Sequence, residues 1–158
     1  MWKLLLDAIV VHLISPMSKF LLRRLYPIPT LIASTHVYAP PQRPAISFNL
    51  ELAEVTVDLI IHCLPADLMR ARLELYYGNE YLATMECSGF DVIRYKSFVN
   101  LDQQARVYIV KSLAPAELQR LRPGEICVLR GELRCKTTFC EYEVPFTLQT
   151  IPLVLGRR

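Results

Sequence analysis

The chain has 158 residues, 53% of them apolar and 21% charged, a balance that excludes disorder for most of its length and allows one well-cored domain but not two of ordinary size. Its net charge of +3 lies wholly in the first 25 residues, where Lys3, Lys19, Arg23 and Arg24 face the single acid Asp7, and the other 133 residues balance 14 basic against 14 acidic side chains. A neutral body with an apolar, basic N terminus points to a membrane surface and away from nucleic acid.

Residues 2–14 place Trp2, Leu6, Ile9 and Leu13 at helical spacing, and Phe20 continues that face while Lys3, Asp7, Ser15, Ser18 and Lys19 lie opposite. Ser15-Pro16 interrupts the pattern with a capping residue and a proline suited to a first helical turn, so two amphipathic helices are expected, over about 2–14 and 16–25. The first would be about 20 Å long, short of the about 30 Å bilayer core, and it carries an Asp and a His. An interfacial position fits better, with Trp2, Leu6, Ile9, Leu13 and Phe20 in the apolar boundary and Lys19, Arg23 and Arg24 towards anionic headgroups. Two other readings stay open. The helix docks on its own β module or on a partner, or it is a signal sequence or a true span, although the nearest small-residue cleavage pattern lies far downstream at Val37-Tyr38-Ala39.

Residues 26–44 hold five prolines, from Pro27 to Pro44, and read as a semi-extended linker in which neither helix nor central strand persists, with at most an edge strand within 30–38. Beyond Pro44 the period changes to two. Ile46, Phe48, Leu50 and Leu52 alternate in one phase and Val55, Val57, Leu59 and Ile61 in the other, which predicts one long strand with a bulge or sharp bend around Ala53-Glu54. Strands over 70–77 and 80–87 flank Gly78-Asn79, a pair suited to a type II′ hairpin turn.

Residues 90–99 and 105–110 read as further strands, the second apolar on both faces. A short helix begins near Pro115 and stops at Arg122-Pro123-Gly124, and strands over 126–136 and 139–149 close the module, with Pro145 marking an edge or bulge. The sum is a mainly β fold, an antiparallel immunoglobulin-like β-sandwich of six to seven strands with one short crossover helix, spanning 45–155 behind the helical segment 1–25 and the linker 26–44.

No residue cluster announces a chemistry. His12, His36 and His62 share no metal-ligating spacing, Glu51, Glu54 and Asp58 read as a solvated strand face, and neither a phosphate-binding glycine loop nor a GxSxG or HExxH motif occurs. No catalytic residue, metal or cofactor is therefore expected, and the protein is not read as an enzyme. The strand tyrosines read as half-buried packing groups. Of the five cysteines, Cys135 and Cys140 form the candidate disulfide, opposed across the last hairpin, while three leftover cysteines favour a reducing compartment.

With these elements placed, the module resembles the late embryogenesis abundant type 2 family, also called the water stress and hypersensitive response domain. The matching features are the turn and strand from Gly78 to Ala83, the strand and helix over 107–121, the strand from Gly131 to Thr137 and the ending Val144-Pro145-Phe146. Where the family carries Asn-Pro-Asn, this chain has Cys63-Leu64-Pro65-Ala66-Asp67. The resemblance implies a noncatalytic sandwich held near a bilayer, with stress response or lipid binding as its role. The expectation is a peripheral, membrane-associated module whose partners are anionic lipid and a protein, not nucleic acid. A structural subunit of a larger membrane complex, and a soluble stress-protective protein with its helix on its own sheet, are the alternatives.

Overall fold

Alternation of period two builds two sheets that face each other across one core. The computed structural model describes residues 17, 27–63, 66–88, 91–93, 103–137 and 140–156. Apart from Met17, the two expected N-terminal helices lie outside these residues.

The first sheet takes β1 (His36–Tyr38), β2 (Ile46–Asn49), β3 (Glu54–Cys63), β6 (Asp91–Ile93), β7 (Gln103–Ser112) and β10 (Leu153–Leu155). Its order is β10-β2-β3-β7-β6, with β1 also paired to β3. The second sheet takes β4 (Asp67–Tyr77), β5 (Glu80–Cys87), β8 (Cys127–Lys136) and β9 (Glu141–Thr150), in the order β5-β4-β8-β9. Val55, Val57, Leu59 and Ile61 of β3 point inward against Leu73 and Leu75 of β4 and Leu129 and Leu133 of β8, all without solvent exposure. Complete burial of such side chains contributes about 1.5–3 kcal/mol each.

The mainly β expectation holds, but ten strands are described where six or seven were expected, and one pair, β10 with β2, is parallel. The surplus comes from β10, three residues long and too short to show a period in sequence, from the separate β2 and β3, expected as one strand, and from β1, the edge strand allowed within 30–38; β6 lies within the strand expected over 90–99.

Three local expectations are corrected. The linker contains a helix, α1 (Ile28–Ser34), because its prolines stand at the N terminus, where a missing N–H is not needed. The Pro27 carbonyl accepts from the Thr30 and Leu31 amides, and Leu31 is buried where α1 lies against β3 and β9. The phase flip at Ala53-Glu54 is a hairpin between two strands, not a bulge or bend within one. Asn49 Oδ1 accepts from the amides of Glu51 and Leu52, Ala53 takes a positive φ of 53°, and β2 folds back on β3. Finally β7 is covered on one face only, with Ala105 and Val107 buried and Tyr108 and Val110 exposed.

The Gly78-Asn79 hairpin forms as expected. Gly78 has φ +60° and Asn79 has no positive φ, the signature of a type II′ turn. The crossover helix is α2 (Pro115–Leu118), where Glu117 Oε2 accepts from the Ala114 amide at 2.7 Å.

Candidate interaction face and end cavity

The outer face of the second sheet is a lattice of both charges. Arg70 pairs with Glu86 at 2.7 Å and Arg134 with Glu141 at 2.6 Å, while Arg72 stands 3.9 Å from both Glu74 and Glu86. All are partly to half exposed, so water and salt screen each pair and its contribution to stability is small. The Arg134 guanidinium holds the Glu141 carboxyl below its usual range, whereas Glu143 pushes that of Glu132 up by hydrogen bonding and charge. Water is the natural solvent of this face.

The outer face of the first sheet differs. Register places Tyr108 beside Asp58, Val110 beside Thr56, Tyr38 beside Ile60 and Leu153 beside Ser47. Tyr108 is 56% exposed, and Tyr38, Val110, Leu153 and Leu155 also face solvent. Asp58, expected on a solvated face, is only 6% exposed. Both its oxygens accept from Arg106, Oδ1 from Nε at 2.8 Å and Oδ2 from an amino group at 2.7 Å. The same guanidinium lies 5.5 Å from the centroid of the Tyr108 ring. The fork neutralises the carboxylate where the centre of the sheet takes it out of water. The clue in sequence is an acid inside the run Val55 to Ile61, apolar on both sides of it.

A third feature is a cavity of about 490 Å³ at one end of the sandwich, between the β4–β5 turn and the connection from α2 to β8. Arg120, Arg122, Glu80 and Glu125 line it together with Tyr77 and Tyr81. Tyr77 is 4% exposed, with its ring set edge-on to Phe48 at 5.8 Å and its hydroxyl shut off from solvent. Burial pushes the phenol pKa up, against a smaller opposing hydrogen bond with the Arg122 backbone. Sequence reading did not find this cavity, because its two walls lie about 40 residues apart.

The expected membrane-contact residues Trp2, Leu6, Ile9, Leu13, Lys19, Phe20, Arg23 and Arg24 lie outside the described residues. Cys135 and Cys140 are described and are not opposed. The ladder pairs Cys135 with Tyr142 and Lys136 with Glu141, and Cys140 keeps a free thiol 3.4 Å from the Thr137 hydroxyl. The hairpin closes instead through Thr137, whose amide donates to the Cys140 carbonyl and whose hydroxyl accepts from the Cys140 amide. Cys127 is fully buried, and desolvation with the nearby Glu125 charge pushes its thiol up to about 12. Burial makes that thiol inert. The β1–β3 register brings His36 opposite His62, but among the described residues no three His, Cys, Asp or Glu side chains are grouped to hold a metal ion. Nor is any described helix long and apolar enough to cross a membrane.

No protein-family model matches the chain, and no curated protein matches it in sequence.

Proposed function

We propose that the protein is a noncatalytic, membrane-associated interaction module. Residues 1–25 bind the interface of an anionic bilayer, and the apolar and aromatic outer face of the first sheet turns towards the same headgroups. The observation that carries this reading is the division of charge: all the net positive charge sits in one apolar segment, on a body that is otherwise neutral. The contrast between the outer faces supports it, since tyrosines such as Tyr38 and Tyr108 suit the headgroup layer and the charged lattice suits water. The finer fold belongs to the same reading: an immunoglobulin-like sandwich, resembling late embryogenesis abundant type 2 domains.

Vesicle co-sedimentation tests it. The full chain is expected to pellet with phosphatidylserine-containing vesicles and to be released by salt. Replacing Lys19, Arg23 and Arg24 together by Gln removes about 1 kcal/mol each, a loss of about a hundredfold in partitioning. Removal of residues 1–25 abolishes pelleting. Equal pelleting of the truncated chain would sink the proposal, and pelleting only of a larger assembly recovered in mild detergent would transfer the role to a complex subunit.

A further inference from the structure

We propose that in water residues 2–14 dock as a helix in a shallow trough on the outer face of the first sheet, and that a bilayer competes with this face for them. The register draws the trough. One row across four strands runs Leu153, Ser47, Thr56 and Val110, with the two large side chains exposed at its ends and the two small ones between them. Neighbouring rows extend both walls, through Leu155 on β10 and Tyr108 on β7. From β10 to β7 is three strand spacings, about 14 Å, which admits one helix of about 10–12 Å diameter between the walls. Along β3 the floor from Glu54 to Ile60 is about 20 Å long, the length of a helix over residues 2–14. A flat bilayer would meet only the walls.

Pattern, reach and charge select this segment as the occupant. Trp2, Leu6, Ile9 and Leu13 form the apolar stripe that such a trough accepts, and Lys3 and Asp7 lie on the side away from it. Described residues resume at Pro27, and α1 leads directly into β1, which pairs with Ile60 to His62 at one end of the same face. The link between, residues 15–26, reaches up to about 40 Å and so commands the whole trough. Charge sets the direction. A helix that enters from the β1 end and runs towards the β2–β3 turn carries Lys3 to Glu54 and Glu51 at the far end, while Asp58 on the way is already held by Arg106. Docking removes two exposed apolar surfaces from water at once. On an anionic bilayer the helix leaves the trough for the interface and bares the face, a regulation that rests on the membrane reading above.

Trp2 is the single tryptophan of the chain, so its fluorescence reports the docking directly. In detergent-free buffer without lipid, the full chain is expected to emit to the blue of its urea-unfolded form and to resist acrylamide quenching, equally at every concentration. Ser47→Gln combined with Thr56→Gln fills the floor with longer neutral side chains at two half-buried positions outside the core, and circular dichroism checks that the sheets remain. This variant is expected to expose Trp2 to the quencher. A docked fraction of about nine-tenths in the parent makes phosphatidylserine vesicle binding about tenfold tighter in the variant. The proposal is overturned if Trp2 of the parent is quenched as freely as in urea, or if the folded variant protects it as well as the parent does. Protection that vanishes on dilution overturns it too, by making a second copy the occupant. Weaker vesicle binding by the variant has the same force, because the face would then be holding lipid and not the helix. Trp2 protected in the parent and released in the variant, with neither form pelleting, sinks the membrane reading alone and upholds the docking.

Discussion

Asp58 is the acid whose surroundings decide its role. It stands on the central strand of the first sheet with both oxygens held by Arg106, and the Arg106 side chain is 34% exposed where that of Asp58 is 8%. Removing the arginine leaves a carboxylate with little water to replace it, so Arg106→Ala is expected to cost about 3 kcal/mol in urea-induced unfolding. Arg106→Met, which keeps the aliphatic stem, should lose nearly as much, and a loss within the error of the method would show the pair to be a solvated contact. Cys127 makes a second residue-scale case. Its folded thiol titrates at about 12 against an ordinary value near 9, so its contribution to stability is complete below pH 9 and is lost as pH rises towards 12. A Cys127→Ala variant should show a shallower decline of the urea midpoint across that window, and parallel curves would remove the coupling. The sequence offers only a hint of the first, an acid set within an apolar run, and none of the second, since both groups gain their character from partners on other strands.

At the scale of elements, legibility follows the length of the pattern. The Gly78-Asn79 hairpin and the paired β8 and β9 are long alternations joined by tight turns, and they form where the period places them. The β2–β3 hairpin shows the converse. Its four turn residues, Leu50 to Ala53, contain neither glycine nor proline, and only Asn49 marks the reversal by accepting two backbone amides. The proline-rich segment reads as a linker because prolines are usually scored as breakers, whereas Pro27 and Pro29 here stand where a helix begins. Gly131 is a different kind of signal, one of close packing. A Cβ there would fall 2.2 Å from the Phe146 ring and 2.9 Å from Leu73, so β8 needs a residue without a side chain where Phe146 of β9 crosses it. Gly131→Ala is expected to destabilise the domain by about 1–3 kcal/mol through overpacking. Adding Phe146→Leu should restore part of that loss, and thermal unfolding of the single and double variants checks both.

For the molecule as a whole, the question is how the edges of its two open sheets are guarded against recruiting further strands. An unpaired edge offers free backbone groups to any neighbouring chain. The first sheet ends in β10 and β6, each three residues long, which gives a partner little to pair with. The second sheet ends in longer strands that are guarded individually. On β5, Lys111 reaches across from β7 and donates to the Thr84 carbonyl at 2.7 Å, occupying an edge acceptor and setting a charge beside it. On β9, Pro145 stands opposite Glu132 in the middle of a ten-residue edge and withholds a donor from the ladder. With its edges blunted, what the sandwich leaves open to other surfaces is its faces and its end. Pro145→Thr restores the donor and a good strand former, so folding stability should change by less than about 1 kcal/mol while self-association increases. Size-exclusion chromatography with light scattering, run over a concentration series, is expected to show larger species for Pro145→Thr than for the parent chain. Adding a charge to the variant's edge through Thr147→Lys should return it to the parent's size, because the cause is the edge and not a loosened core; if it does not, the proline acts on the core and the edge argument fails.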